Sequence, residues 1–371
     1  MIIKNALVYT ENSKFVKKDL YVNDNRITDS TTLDTDIVDA NGLYAIPGLI
    51  DIHFHGCVGH DFCDGTHEAI QAIADYESSY GITSICPATM TLGFEELSNI
   101  FSVAASYQSE HGAGLVGINM EGPYLSHAKR GAQNPAFLKS PDIEHFKTMQ
   151  QNSGNLIKIV SIAPEEPSAM DFIKSEADEV VVSVAHTTAN YETTMKAFEL
   201  GASNVTHLYN AMPAFSHRDP GVIGAALDAE HVKVELICDG LHISPTVVRA
   251  TFKMFGDDRI ILISDSMMAT GLADGEYSLG GQKVYVNGNK ATLKSGTIAG
   301  STTNLMNCMK MAVSMGIPLE SAVKCATINP AKQIGIYEEY GSLTPGKYAD
   351  IVLLSPELDI VKIILKGKVQ G

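Results

Sequence analysis

Short apolar runs alternate with amphipathic stretches along most of the chain. The apolar runs, at 49–55, 82–89, 114–121, 157–164, 180–186, 204–208, 232–239 and 259–265, have the length and composition of buried strands. Stretches with helical spacing lie between most of them, among them 68–80, 94–110, 142–151 and 193–200. Eight strand-then-helix units in about 290 residues predict a closed (β/α)8 barrel of the α/β class. A doubly wound sheet is the alternative, but no GxGxxG turn follows the first of these strands.

The two ends of the chain do not follow this alternation. Residues 6–9, 18–22 and 36–38 are short β-rich pieces separated by turn formers, and 349–354 and 360–367 show the same pattern. Because both ends have this character, we expect them to build one small β-sandwich domain. The expected boundaries are 1–48 and 344–371 for the small domain and 49–343 for the catalytic barrel.

One segment interrupts the alternation after the eighth strand. Two β-rich stretches, 277–286 and 290–294, flank the sequence Asn287-Gly288-Asn289, which is typical of a tight turn. This pattern predicts a hairpin, either at the rim of the active-site face or within the small β domain.

Charge and cysteine content narrow the class of protein. The chain has 371 residues and a net charge of −16 distributed along its length, which argues against a nucleic-acid partner. Its six cysteines are scattered without a CxxC pair, as in proteins that keep their thiols reduced. No apolar run approaches the length of a membrane span, and the first residues lack a signal-peptide pattern. We therefore expect a cytoplasmic protein without a membrane partner.

Residues that can bind a metal follow six of the predicted strands. The carboxyl ends of barrel strands line the catalytic face, so these side chains are expected to converge on one cavity. His53 and His55 lie two residues apart, which places both imidazoles on the same side of a strand. The others are Glu121, His186, His207, Asp239 with His242, and Asp265. Imidazoles and carboxylates suit one or two divalent ions of the zinc or iron type.

A set of longer motifs resembles the amidohydrolase superfamily and, more narrowly, the N-acetylglucosamine-6-phosphate deacetylase family. The motifs are PGLIDIHFHG (47–56), MEGPYL (120–125), KRGAQNP (129–135), AHTTA (185–189), THLYNAMPAFSHRDPG (206–221), CDGLH (238–242), SDSMMATG (264–271), AGST (299–302) and PGKYADIVLL (345–354). The resemblance covers nearly the whole chain, and the THLYNAM stretch before Arg-Asp-Pro-Gly is a specific signal.

The resemblance implies a metal-dependent hydrolase that converts N-acetylglucosamine 6-phosphate to glucosamine 6-phosphate and acetate. It implies Glu121, His186 and His207 as ligands of the main metal. His53 and His55 are implied as ligands of a second ion, which some family members bind and others lack. Many superfamily relatives bridge two ions with a modified Lys on the fourth strand. The fourth strand has no Lys at its end here, which agrees with the deacetylase branch.

The resemblance also implies a catalytic residue and the substrate contacts. Asp265 is implied as the catalytic acid and base. Arg218 and His242 are implied as the residues that bind the sugar phosphate, with one of them reaching across the interface of a homodimer. The other implied substrate contacts are Ala132, Gln133, Asn210, Ala211, Asp239, Ile298, Ala299 and Gly300.

Two positions depart from the family pattern. The family usually has Gly-Ala-His-x-Pro after the MEGP segment, whereas this chain has Gln133 in place of the His. That His helps to polarise the substrate carbonyl, and a Gln can donate a hydrogen bond there but cannot carry a positive charge. We therefore expect Gln133 to change the rate or the preferred sugar. The second departure is Ala185, where the family often has Gly.

Three other functions are compatible with parts of this pattern. A deacetylase for N-acetylgalactosamine 6-phosphate, or for another N-acyl amino-sugar phosphate, would use the same metal and phosphate residues. A hydrolase of cyclic amides is disfavoured by the missing Lys on the fourth strand. A non-enzymatic relative is disfavoured because every implied ligand and Asp265 are present.

Overall fold

A computed structural model describes residues 1–30, 36–109 and 111–370 of the chain. Its strands are β1 (Ile2–Tyr9), β2 (Phe15–Asn23), β3 (Arg26–Thr28), β4 (Ile37–Asp39), β5 (Tyr44–Pro47), β6 (Leu49–Asp51), β7 (Gly56–Cys57), β8 (His60–Asp61), β9 (Ile82–Ile85), β10 (Gly114–Leu115), β11 (Ile118–Met120), β12 (Ile157–Ile162), β13 (Val181–Val184), β14 (Asn204–Val205), β15 (Lys233–Ile237), β16 (Ile260–Ile263), β17 (Gly275–Leu279), β18 (Gln282–Asn287), β19 (Lys290–Leu293), β20 (Ile351–Leu354), β21 (Ile360–Leu365) and β22 (Lys368–Val369).

Ten α-helices lie in the described residues. They are α1 (His67–Ser79), α2 (Phe94–Ser106), α3 (Ile143–Asn152), α4 (Ala169–Glu176), α5 (Tyr191–Glu199), α6 (Gly221–Asp228), α7 (Pro245–Phe255), α8 (Leu305–Ser314), α9 (Leu319–Ala326) and α10 (Ile328–Gln333). The predicted helical stretches 68–80, 94–110, 142–151 and 193–200 correspond to α1, α2, α3 and α5, except that residue 110 lies outside the described residues. Within the described part of the chain, no helix is long and apolar enough to span a bilayer.

Two parallel sheets form a ring. Strands β6, β9 and β10 make one sheet, and β11 to β16 make the other. Backbone hydrogen bonds join the two sheets at both seams, from Thr89 N to Asn119 O and from Asp265 N to His53 O, each at 2.9 Å. The fold is therefore a TIM-barrel-like α/β structure, and each of the eight predicted runs contains part of the ring. The second seam excludes the doubly wound alternative, because an open sheet has no such closure.

Apolar side chains fill the interior of the ring, below the carboxyl ends of its strands. Ile50, Ile159, Ile237 and Ile261 come from four different strands of the ring and form one fully buried cluster. Strands covered by helices on the outside and packed inside are expected to be apolar on both faces, which explains the mostly apolar runs in the sequence. The interior is thus a packed core rather than a channel, as is usual for such barrels.

Strands from both chain ends pair in a separate sheet. Its order is β22-β21-β20-β5-β1-β2-β3, with β4 also paired to β1. The two chain ends meet where β20 runs antiparallel to β5, with Val352 opposite Ile46. Ile3, Val8 and Ile351 are fully buried in a core that belongs to this sheet. The structure describes one sheet here, so a two-sheet sandwich and the boundaries 1–48, 49–343 and 344–371 stay predictions.

The predicted hairpin lies at the rim of the barrel. Strands β17, β18 and β19 form a three-stranded antiparallel sheet, and its second turn links Asn287 to Lys290. The side-chain amide of Gln282, at the start of β18, donates a hydrogen bond to the backbone oxygen of Ala132. The first of the two alternatives for this segment is therefore correct: it packs against the loop that follows β11.

Candidate metal centre and active site

Side chains from the carboxyl ends of five barrel strands meet at one cavity of about 510 Å³. His55, Glu121, His186, His207 and Asp265 line it, and they follow β6, β11, β13, β14 and β16 respectively. His53 lies behind this surface and is fully buried. The structure thus brings together all six residues that the resemblance implied as metal ligands or as the catalytic acid and base.

The six residues form two groups with Glu121 between them. One group is Glu121, His186 and His207, and the other is His53, His55 and Asp265, with possible ligand atoms within 4.8 Å of one another in each. Glu121 Oε1 lies 3.1 Å from His186 Nε2 and 3.3 Å from His207 Nε2. Glu121 Oε2 lies 3.5 Å from His55 Nε2. Oε2 therefore faces His55 of the second group, whereas Oε1 faces the first group and also lies 3.6 Å from His53 Nε2.

Three of the imidazoles are fixed through the nitrogen that points away from the centre. Each Nδ1 contacts an oxygen: His186 with Lys129 O at 2.9 Å, His55 with Ala88 O at 3.3 Å, and His53 with Glu235 Oε2 at 2.8 Å. In its neutral form, an imidazole that donates through Nδ1 has its lone pair on Nε2, so each of the three rings can offer that atom to a cation at the centre. This arrangement is typical of metal-binding histidines.

One buried atom of the centre lacks a partner that a cation would supply. His53 Nε2 is buried and has no hydrogen-bond partner among the described residues. A buried polar atom without a partner is costly, so such atoms call for an explanation. Nε2 points between carboxylates and other imidazoles, and in the neutral ring it carries a lone pair, so the residues present fit a divalent cation with nitrogen and oxygen ligands.

Three residues of the centre have left-handed backbone conformations. The φ angles are 41° at His186, 30° at His207 and 50° at Asp265. Non-glycine residues in this region cost about 1–3 kcal/mol each and persist only where the surroundings hold them. Here Ser126 N donates to His186 O at 3.0 Å, which is one such constraint. The strain lies at the positions where the strands turn their side chains into the cavity.

The two carboxyl groups at the centre are held in their charged form. Burial alone would raise the pKa of Glu121, but the charge of His53 and hydrogen bonds from the other histidines outweigh it and hold that pKa well below its ordinary value. Burial also opposes charge on Asp265, and there the hydrogen bond from His55 and nearby histidine charges lower the pKa. Both groups are therefore available as anions to bind a cation or to accept a proton.

Gln133 contacts the metal group directly. Its Nε2 donates to Glu121 Oε2 at 2.9 Å, and its Oε1 accepts from the backbone N–H of Thr91 at 2.7 Å. The side chain is only 2% exposed, although it forms part of the cavity wall. The residue was predicted as a substrate contact, and its hydrogen bond to Glu121 was not foreseen from the sequence.

The other predicted substrate contacts divide into those at the cavity and those away from it. Six of them line it: Ala132, Asn210, Ala211, His242, Ile298 and Gly300. Asp239 lies behind His242, with its Oδ2 at 2.6 Å from His242 Nδ1. Ala299 is fully buried, and Arg218 is exposed and does not line this cavity.

Three residues near the centre had no predicted role. Lys129 and Arg130 line the cavity and add positive charge to it, in a chain with a strongly negative total. Glu235 is fully buried and contacts His53. Its only signal in the sequence is a carboxylate within the apolar run 232–239, which is unusual for a strand covered on both faces.

Comparison with known proteins agrees with this geometry. The sequence profile of the Amidohydrolase family matches residues 44–370. N-acetylglucosamine-6-phosphate deacetylase of Bacillus subtilis (strain 168) is 36% identical over 382 residues, covering 100% of this chain and 96% of the relative. N-acetylgalactosamine-6-phosphate deacetylase of Escherichia coli O157:H7 is 31% identical over 326 residues, covering 87% of this chain and 86% of the relative.

A solved structure extends the likeness to the fold. It is a mutant N-acetyl-D-glucosamine-6-phosphate deacetylase from Mycobacterium smegmatis in complex with N-acetyl-D-glucosamine-6-phosphate, with a TM-score of 0.93 and 30% identity, covering 100% of this chain and 98% of that chain. The family match spans more than half of the sequence, and the likenesses in sequence and fold cover nearly all of it. The chain therefore belongs to the amidohydrolase family, in the branch that contains the N-acetyl amino-sugar-6-phosphate deacetylases.

Proposed function

We propose that the protein hydrolyses N-acetylglucosamine 6-phosphate to glucosamine 6-phosphate and acetate. The observation that carries the proposal is the Glu121 carboxylate, which faces two histidine groups at a cavity that Asp265 also lines. Relatives that match almost the whole chain are named for this reaction. The reaction needs an activated water and a base in reach of one amide, and this cavity offers residues for both.

Five residues of the two groups would bind metal, and the sixth, Asp265, has a catalytic role. Glu121, His186 and His207 hold the main divalent ion, and His53 and His55 hold a second. Zinc and iron both suit ligand sets of imidazole and carboxylate. When bound, such an ion lowers the pKa of water toward about 7 and polarises a carbonyl oxygen.

Asp265 acts as the general base and then as the general acid. It accepts a proton as water adds to the acetyl carbon, and it returns a proton to the sugar nitrogen as the C–N bond breaks. Its Oδ1 lies 3.4 Å from His55 Nε2, so it sits at the edge of the second group and lines the cavity. The lowered pKa of Asp265 keeps it ionised and ready to accept the first proton.

Cations at the cavity bind the sugar phosphate. His242 lines the cavity, and its contact with Asp239 supports a charged imidazole: burial alone would lower the pKa of His242, but the hydrogen bond and charge of Asp239 raise it. Arg130 lines the same cavity. Arg218, exposed and away from the cavity of its own chain, contributes from the second subunit of a homodimer. A guanidinium suits this role because it remains charged and makes paired hydrogen bonds to phosphate.

The proposal places this activity in the cytoplasm. The six cysteines are all free in the structure, including the buried Cys57 and Cys86. Reduced thiols are the usual state in that compartment.

A second candidate substrate is N-acetylgalactosamine 6-phosphate. The relative from Escherichia coli O157:H7 is named for that sugar and matches most of this chain. The two substrates differ in the configuration of one hydroxyl, so they would use the same metal and phosphate residues.

Acetate release tests the proposal and separates the two sugars. Purified protein with its metal content measured is incubated with N-acetylglucosamine 6-phosphate, N-acetylgalactosamine 6-phosphate and unphosphorylated N-acetylglucosamine. We expect the highest kcat/KM for the first compound and much weaker turnover of the unphosphorylated sugar. Absence of turnover for all three by metal-loaded protein would contradict the proposal.

A further inference from the structure

Glu235 is a fully buried carboxylate in the middle of a barrel strand. It lies on β15, and its neighbours Val234 and Leu236 are buried as well. Burying a carboxylate costs several kcal/mol unless the group is paired and hydrogen-bonded. A carboxylate at this position therefore needs partners that compensate for its lost hydration.

Its partners connect the two metal-binding groups. Glu235 Oε2 lies 2.8 Å from His53 Nδ1 and accepts the backbone N–H of His207 at 3.2 Å. Glu235 Oε1 accepts the side-chain amide of Asn204 at 2.8 Å. One carboxylate thus contacts a residue of each group, since His53 belongs to one and His207 to the other.

A buried polar layer fixes the orientation of Glu235. Asn204 also donates to Ser183 Oγ at 3.0 Å, and Ser183 Oγ lies 2.6 Å from Thr206 Oγ1. Thr206 Oγ1 in turn lies 3.2 Å from Ser161 Oγ. Because Ser183 also binds the Asn204 amide, Asn204 holds Oε1 of Glu235 and leaves Oε2 directed at His53.

The contact with Glu235 determines which nitrogen of His53 faces the centre. The carboxylate binds Nδ1, so Nε2 points between Glu121 Oε1 at 3.6 Å and Asp265 Oδ1 at 3.9 Å. Both distances are too long for hydrogen bonds, so a protonated Nε2 would be a buried donor without a partner. A lone pair on Nε2 that faces a cation removes this problem.

We propose that Glu235 is a positioning residue that makes the His53–His55 group a working site for a second divalent ion. The inference rests on the metal chemistry of the proposed function, and it does not depend on which sugar is the substrate. Glu235 acts through His53: it fixes the ring, holds the proton on Nδ1 and makes Nε2 a better ligand. Losing such an outer partner typically weakens metal binding about 10- to 100-fold.

Metal binding without substrate tests this directly. Metal-free protein is titrated with Co²⁺ and with Zn²⁺, and bound metal is counted by elemental analysis, with the visible spectrum of Co²⁺ as a second readout. We compare wild type with Glu235→Gln, which keeps the size of the side chain, and with Glu235→Ala. His55→Asn removes a ligand of the same group and provides the one-ion reference.

Glu77→Gln is the matched control. Glu77 is also fully buried, and its carboxylate has no hydrogen-bond partner among the described residues. It lies on α1, outside the barrel ring, so this change replaces a buried carboxyl group by an amide of the same size without touching a ligand. Circular dichroism and thermal melting confirm that each variant is folded before its metal is counted.

We expect two ions per chain in wild type and in Glu77→Gln. In both Glu235 variants the second ion should bind about 10- to 100-fold more weakly, with the Co²⁺ spectrum of the occupied site matching that of His55→Asn. Two ions bound at wild-type affinity by both Glu235 variants would overturn the proposal, as would a single ion in saturated wild type or parallel loss of both ions. None of these measurements uses the sugar, so a failed deacetylase assay would leave this result standing.

Discussion

Gln133 holds the oxygen of Glu121 that faces the second histidine group. Its Nε2 donates to Glu121 Oε2 at 2.9 Å, on the same oxygen that lies 3.5 Å from His55 Nε2. Its Oε1 is occupied by the backbone N–H of Thr91, so the amide cannot turn without losing both bonds. The residue that departs from the family pattern is thus a direct hydrogen-bond partner of the Glu121 carboxylate.

Replacing Gln133 should therefore disturb the position of the Glu121 carboxylate as well as any contact with the sugar. Gln133→Ala removes the partners of Thr91 N and Glu121 Oε2, and each buried group left alone costs about 1–3 kcal/mol. We expect a lower unfolding temperature and a kcat that is about 10- to 100-fold lower, since misplaced groups reduce rates by such factors. Differential scanning calorimetry and acetate release provide the measurements.

The neighbouring Asn134 offers a control for Gln133. Its side chain accepts from Ala136 N, where it caps the short helical turn Pro135–Phe137. Asn134→Ala should therefore leave kcat near wild type. Equal loss of kcat in both variants would show that the loop as a whole, and not the contact with Glu121, controls the rate.

Asp265→Asn should abolish catalysis while leaving substrate bound. An amide cannot accept the proton from water, and removal of a general base typically costs 10²–10⁴-fold, so kcat should fall by about that factor. Acetate release gives kcat, and calorimetric titration with the phosphorylated sugar gives its Kd. Asp142→Asn, at the exposed N-cap of α3 where Asn also caps well, is the matched control. Retention of more than a tenth of wild-type kcat would exclude Asp265 as the base.

The barrel was predictable because each of its strands can be recognised from the residues of that strand alone. Runs such as 82–89 and 157–164 are mostly apolar, and no other part of the chain is needed to recognise them. The residues at the strand ends were predictable for the same reason, since barrel geometry brings all carboxyl ends together. The fold class alone was enough to predict that His55 and His186 lie at one cavity.

Contacts between distant residues were not predictable in this way. Glu235 meets His53 across 182 positions of sequence, and no local pattern specifies that pairing. Gln133 was predicted as a substrate contact and lines the cavity, but the direction of its amide depends on Thr91 N, from the loop after β9, and on Glu121 Oε2, twelve residues earlier in its own loop. Side-chain orientation is set by packing in three dimensions, whereas periodicity in sequence reports only which face is buried.

Phosphate binding should weaken as the pH rises. Burial alone would lower the pKa of His242, but the hydrogen bond and charge of Asp239, with the charge of Asp265, raise it above the ordinary value of 6.5. A raised pKa means that His242 is charged at pH 6.5 and loses its charge as the pH passes the higher, folded-state value. KM for the phosphorylated sugar should therefore increase through that range, with little change in kcat.

Asp239→Asn isolates the contribution of His242 to this profile. The variant lacks the carboxylate 2.6 Å from His242 Nδ1, so the pKa of His242 should fall and KM should begin to increase at lower pH. The second pKa of the sugar phosphate is about 6 and is the same in both assays, so the difference between the two profiles reports the imidazole. Identical profiles for wild type and variant would remove His242 from phosphate binding.

Mixing two inactive variants decides whether Arg218 acts across a subunit interface. Arg218 is exposed and away from the cavity of its own chain, whereas Asp265 lines that cavity. In a symmetric dimer with a shared site, a chain carrying Arg218→Ala retains Asp265 and can receive an intact Arg218 from a chain carrying Asp265→Asn. Random reassembly of equal amounts should then restore about a quarter of wild-type activity, because half of the dimers are mixed and each has one complete site.

Analytical ultracentrifugation confirms the dimer, and Arg130→Ala mixed with Asp265→Asn is the control. Arg130 lines the cavity of its own chain, so that mixture should stay at the activity of its separate components, and the same result for Arg218→Ala would place Arg218 outside a shared site.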